Sequence, residues 1–122
     1  MLFGCCVPSK DYRLAEQAGF DFVEFSGAEI FNMSDAEFER VCESVRAGKL
    51  PCVSFNSYCE GSPAIVGGEF DVELVSSYAE SFCRRAAALG VRMLGMARRM
   101  LEGCRRAFKI NGPMRNAKPF CA

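Results

Sequence analysis

The chain has 122 residues, half of them hydrophobic and a quarter charged, with 15 basic side chains balanced by 15 acidic ones and no histidine. That size suits one domain able to bury about two-thirds of its unfolded surface, and the composition excludes a disordered or fibrous chain. Without histidine, a Ser–His or Cys–His nucleophile and a mixed Cys/His metal site are excluded too.

The zero net charge hides an uneven distribution. Residues 1–94 hold 8 Lys/Arg and 14 Asp/Glu, whereas residues 95–122 hold 7 basic side chains and Glu102 alone. No apolar run approaches the ~18 residues of a membrane span. The opening MLFGCCVP lacks the basic leader of a secretory signal and its apolar run is too short, so the expected compartment is the cytoplasm. A reducing cytoplasm disfavours disulfides. None of the eight cysteines (Cys5, Cys6, Cys42, Cys52, Cys59, Cys83, Cys104, Cys121) has C-x-x-C spacing. Up to residue 94 they are expected to be small buried hydrophobes, with Cys42 and Cys83 on apolar helix faces and Cys52 inside a strand.

Along the chain, a unit recurs: an amphipathic segment, a glycine stop, then a short apolar run. Residues 2–7 read as a first strand. A helix over 10–18, with Leu14, Ala15 and Ala18 facing inward, stops at Gly19 and leads into a strand over 20–25. The next helix, 35–47, opens on a capping box, Ser34-x-x-Glu37, and carries Phe38, Val41, Cys42 and Val45 at i, i+3, i+4, i+7. It stops at Gly48 before a strand over 50–56. The loop 57–70, with Gly61, Pro63, Gly67 and Gly68, is expected to be a mobile rim loop that covers a ligand. A helix over 71–89, capped by Asp71, presents Val75, Tyr78, Ala79, Phe82, Cys83 and Ala86 as one stripe, then stops at Gly90 before a strand over 91–96. The three stop glycines are expected in the left-handed conformation that ends a helix.

Strands alternating with helices imply right-handed crossovers and a parallel sheet. That sheet is either open and doubly wound or part of a closed barrel. After the first strand comes Pro8-Ser9-Lys10 rather than a glycine-rich turn, Gly67-Gly68 lacks the G-x-G-x-x-G spacing, and a P-loop is absent. These absences favour the barrel. The fold class expected is therefore α/β: the first four units of a TIM (β/α)8 barrel over residues 1–96, a half-barrel, followed by a basic divergent tail over 97–122.

The stretch GCCVPSKDYRLAEQAGFDFVEFSGAEIFNMSDAEFERV resembles the N-terminus of sugar phosphate isomerases and epimerases with a xylose-isomerase-like TIM barrel. Ala18, Gly19, Phe20, Asp21, Val23 and Glu24 match that family's A-G-F-D-x-[IV]-E strand start. LPCVSFN is similar to its third strand, and Ala97, Arg98 and Gly103 fall in the loop after the fourth. The resemblance spans residues 2–103 and stops at CRRAFKINGPMRNAKPFCA, where a full barrel of about 250 residues would continue. That ending is read as a truncation or shifted frame. The alternative is a genuine chain end with a short helix over 98–108.

In a parallel barrel the active site lies at the C-terminal ends of the strands, here Cys6–Pro8, Glu24–Ser26, Asn56–Tyr58 and Gly95–Met96. Three residues are candidate substrate contacts: Cys6, Glu24 and Asn56. Glu24 is a carboxylate in an apolar strand, so it either meets a ligand or pairs with an arginine or a backbone N–H. Strand alternation puts Phe20, Phe22 and Glu24 on one face and Asp21, Val23 and Phe25 on the other. Asn56 is either a hydroxyl binder or a turn initiator.

The resemblance implies proton transfer next to a sugar carbonyl by two glutamates. It also implies a divalent metal of the Mn or Mg type, held by Glu, Asp, His and Glu from later strands. Nothing in 1–122 corresponds to those ligands, so this chain by itself is expected to hold no metal and to be inactive. The partner implied is a small sugar or sugar phosphate. A half-barrel would also leave both sheet edges open, so self-association, or pairing with a complementary half, is the second expectation. Nucleic-acid binding by the tail (Arg98, Arg99, Arg105, Arg106, Lys109, Arg115, Lys118, with Phe108 and Phe120 as stacking rings) is the weakest.

Overall fold

The computed structural model describes residues 1–58, 64 and 68–96. The basic tail, most of the 57–70 loop, and Cys59, Cys104 and Cys121 lie outside the described residues. The elements in order are β1 (Gly4–Cys6), a 3-10 turn (Ser9–Asp11), α1 (Tyr12–Gln17), β2 (Phe22–Ser26), α2 (Gly27–Asn32), α3 (Asp35–Ala47), β3 (Cys52–Tyr58), α4 (Val72–Ala88) and β4 (Met93–Met96). All four strands pair in parallel, in the order β1-β2-β3-β4. Successive right-handed crossovers in one direction put every connecting helix on the same face. The reversal of strand order that marks a doubly wound sheet does not occur among the described strands.

One core forms between the sheet and that helix layer. From the sheet come Val23, Phe25 and Phe55, all fully buried, and from the helices come Tyr12, Ile30, Cys42 and Phe82. Phe55 meets the Phe82 ring edge-on at 5.7 Å, and Tyr58 meets it at 4.8 Å, within the range where aromatic pairs add to simple burial.

The helix ends follow the sequence closely. The Ser34 side chain accepts from the Glu37 N–H, and Glu37 returns the bond to the Ser34 N–H and hydroxyl. Asp71 caps α4 by accepting from the N–H groups of Glu73 and Leu74. Gly19 and Gly90 are left-handed, at φ 81° and 72°. Gly48 is not: it is extended, and it is glycine because the Tyr12 hydroxyl lies 2.1 Å from where a Cβ would stand. That hydroxyl donates to the Leu50 carbonyl at 3.0 Å and accepts from the Leu50 N–H at 3.1 Å, joining α1 to the entry of β3.

Four other expectations are corrected. The outer strands are shorter than the apolar runs, because Leu2 and Phe3 stand in solvent and pairing begins at Gly4. Leu14 is 63% exposed: in a helix of only six residues, Tyr12 and Ala15 take the inward face instead. Ala18, Cys6 and Cys83 are exposed as well. Finally, residues 27–32, unassigned by periodicity, form α2. Its last carbonyls are satisfied by Arg85 of α4, whose Nη1 donates to the carbonyls of Ile30, Phe31 and Met33 at 2.5, 3.2 and 2.9 Å. Arg85 Nη2 also pairs with Asp35 at 2.8 Å. No helix among the described residues is long and apolar enough to cross a membrane.

Candidate functional site

Successive strand residues point to opposite faces. With Val23 and Phe25 committed to the helix layer, Glu24 must stand on the face away from it, as alternation predicted. Parallel pairing brings Cys6 of β1 opposite Glu24, and Glu24 opposite Ser54 of β3. Ser26 then pairs with Asn56. The three residues singled out in the sequence thus converge on one patch at the C-terminal ends of three adjacent strands.

The patch is hydrogen-bonded throughout. Ser54 Oγ donates to Glu24 Oε2 at 2.5 Å, and Asn56 Nδ2 donates to Glu24 Oε1 at 2.8 Å. The same Asn56 amide nitrogen reaches Cys6 Sγ at 2.9 Å. Among the described residues Glu24 pairs with neither an arginine nor a backbone N–H. Its carboxylate is oriented by two neutral side chains and remains half-buried, as does Asn56, while Cys6 is exposed.

Local backbone geometry sets this up. The β2–β3 register slips by one residue between Val23 and Glu24, so Ser54, not Val53, faces the carboxylate. A second slip between Phe55 and Tyr58 accompanies Ser57 at φ 55°. Such irregularities re-aim side chains and favour functional rims. Gly27 lets the start of α2 approach: a Cβ there would lie 2.7 Å from the Asn56 carbonyl oxygen and 2.6 Å from the Phe82 ring. Ser26 caps α2 at the Glu29 N–H, and Glu29 in turn accepts from the Ser9 hydroxyl at 2.6 Å and the Ser9 N–H at 3.1 Å. The turns after β1 and β2 are tied together beside the patch.

Ser54 was missed in the sequence. The available signal was that a lone hydroxyl sits within the apolar run LPCVSFN, one strand away from a lone carboxylate. Three of the other described cysteines, Cys5, Cys42 and Cys52, offer no competing chemistry. Burial pushes the Cys52 thiol up to about 12 and raises Cys42 and Cys5, so these are hydrophobes rather than nucleophiles. A groove of about 290 Å³ between Ser9, Lys10, Met33 and the α3 residues Arg40, Val41 and Ser44 is a different place from the patch.

The divalent metal implied by the family resemblance does not fit this residue set. No three His, Cys, Asp or Glu side chains converge among the described residues. What the patch can do is accept hydrogen bonds from a polar molecule lying across β1–β3.

No family model, curated protein or solved structure matches the chain.

Proposed function

We propose that the chain forms the first four β/α units of a sugar isomerase- or epimerase-like barrel, and that its own share of the work is to hold the hydroxyl groups of a small sugar. The observation that carries this is Glu24. Its two oxygens are fixed by Ser54 and Asn56 on the sheet face away from the described helices, at the strand ends where parallel β/α folds bind ligands. A carboxylate held in one pose has less entropy to lose on meeting a sugar than a free one. The single-direction strand order supports the barrel over an open doubly wound sheet.

Proton transfer beside a carbonyl needs a second acid–base group opposite the first. Among the described residues the patch holds one carboxylate, so the chain binds without turning over. NMR titration of the whole chain with D-glucose should move the amides of Cys6, Glu24, Ser54 and Asn56. No isomerisation or epimerisation should appear with Mn²⁺ and a panel of ketoses. Absent shifts would refute the binding role, and EDTA-sensitive turnover would refute the division of labour.

A second reading has its own support: a non-catalytic module working by self-association. Among the described strands β1 and β4 have one neighbour each, and Phe3, Met93 and Leu94 are exposed beside those edges. Unpaired edges template further pairing. Sedimentation at micromolar concentration should then show a dimer or larger species; a sharp monomer near 13 kDa excludes this reading.

A further inference from the structure

Counting the hydrogen-bonding valences of the patch says what kind of ligand it takes. The Ser54 hydroxyl has one proton and spends it on Glu24. The Asn56 amide has two, spent on Glu24 and Cys6. It is the amide nitrogen that faces Glu24, because a carboxylate can only accept. The strong donors of the cluster are thus used internally. What remains within reach of a ligand is acceptor capacity: unused lone pairs on both Glu24 oxygens and on Asn56 Oδ1, with Ser54 itself buried. The Cys6 thiol adds a weak donor at best.

Charge points the same way. The ion pairs of the described residues are Arg13–Glu16, Arg46–Glu39, Arg84–Glu80 and Arg85–Asp35, so Glu24 is not neutralised by any of them. A ligand group seated here must bring protons to donate and is favoured by positive charge. A phosphate, a carboxylate or a bare carbonyl brings neither.

Resting on the sugar-binding role proposed above, we infer that the Glu24–Ser54–Asn56–Cys6 patch is an acceptor subsite whose preferred occupant is a cationic amino sugar. A neutral sugar binds second, and an anionic sugar is excluded. The phosphate or acid group of any anionic substrate must then lie away from β1–β3. A hydroxyl donating to this carboxylate is already charge-assisted, so what an ammonium adds is the attraction of an opposite unit charge a few ångströms away, which puts the amino sugar about tenfold ahead of its neutral counterpart.

The test is NMR titration of the full chain with D-glucosamine, D-glucose and D-glucuronate, which share a pyranose ring and differ mainly in charge. Glucosamine should bind about tenfold more tightly than glucose, and glucuronate should leave the four patch amides unmoved. Glu24→Gln should bring glucosamine and glucose within about twofold of each other. If that variant does not fold, raising salt on the native chain from ~20 to ~500 mM makes the same comparison: the glucosamine advantage should shrink while glucose affinity holds. Glucuronate binding as tightly as glucosamine, or a glucosamine advantage that survives each comparison made, overturns the inference and leaves sugar binding standing. No shift with any of the three overturns sugar binding itself, and this inference with it.

Discussion

The two faces of the sheet are made by alternate residues of the same strands, yet they are built on opposite terms. Val23, Phe25 and Phe55 turn toward the helices and are fully buried. Glu24, Ser54 and Asn56 turn away and form a polar network that stays part-open. The first face gains its stability from apolar area and close ring contacts. The second spends polar groups on each other instead of on solvent, an arrangement that adds little to folding and much to orientation. Stability and binding should therefore separate by face.

The largest expected effect lies on the helix-packed side. Phe82→Ala removes the ring that Phe55 and Tyr58 meet edge-on and leaves a cavity, so stability should fall by about 3–5 kcal/mol. Denaturant unfolding with an unchanged m-value checks this. A loss under about 1 kcal/mol would mean that the core is not organised around α4.

Next comes Tyr12→Phe, which leaves both the N–H and the C=O of buried Leu50 without their partner. About 1–3 kcal/mol should be lost, with sugar titrations unaffected because the bond lies at the entry of β3, away from the patch. Impaired binding in this variant would blur the separation of the faces.

Acid should act on the helix layer as well. The Glu37 carboxyl is held below its ordinary 4.5 by the Ser34 hydroxyl and then the Ser34 N–H. Glu16 is held below 4.5 first by the Lys49 N–H, at 2.6 Å, and then by Arg13. A lowered folded-state pKa means stability that is complete above about pH 4.5 and lost as the pH falls through the lowered values. Ser34→Ala should flatten part of that acid limb in melting curves recorded from pH 6 to 3; an unchanged profile would remove the capping box from the account.

How far the sequence foretold this division depends on the range of the interaction. The Ser34–Glu37 box, the Asp71 cap and the Gly19 and Gly90 stops are decided within four residues, and all were legible. Helix α2 was not, because six residues following a strand directly carry no period, and its carbonyls are satisfied by Arg85, more than fifty positions away. Cys6, Glu24 and Asn56 were legible one at a time, as polar or reactive residues at strand ends. Their convergence depended on strand order, and Ser54 depended on a register slip at Val53 that no local pattern announces. Gly48 shows the same limit from the other side: it reads as a left-handed stop, but the Tyr12 hydroxyl is what requires it.

The smallest expected change in stability falls on Glu24, the residue on which the proposed binding role rests. Glu24→Ala frees Ser54 and Asn56 on a half-open face where water can replace the carboxylate, so unfolding should cost no more than about 1 kcal/mol less. Melting and glucose titration on the same sample test the central claim directly. The account predicts a nearly unchanged melting temperature together with loss of the glucose-dependent shifts at Cys6, Ser54 and Asn56. A drop equivalent to about 2–3 kcal/mol with those shifts retained would contradict it, and would make Glu24 a structural strut of the sheet.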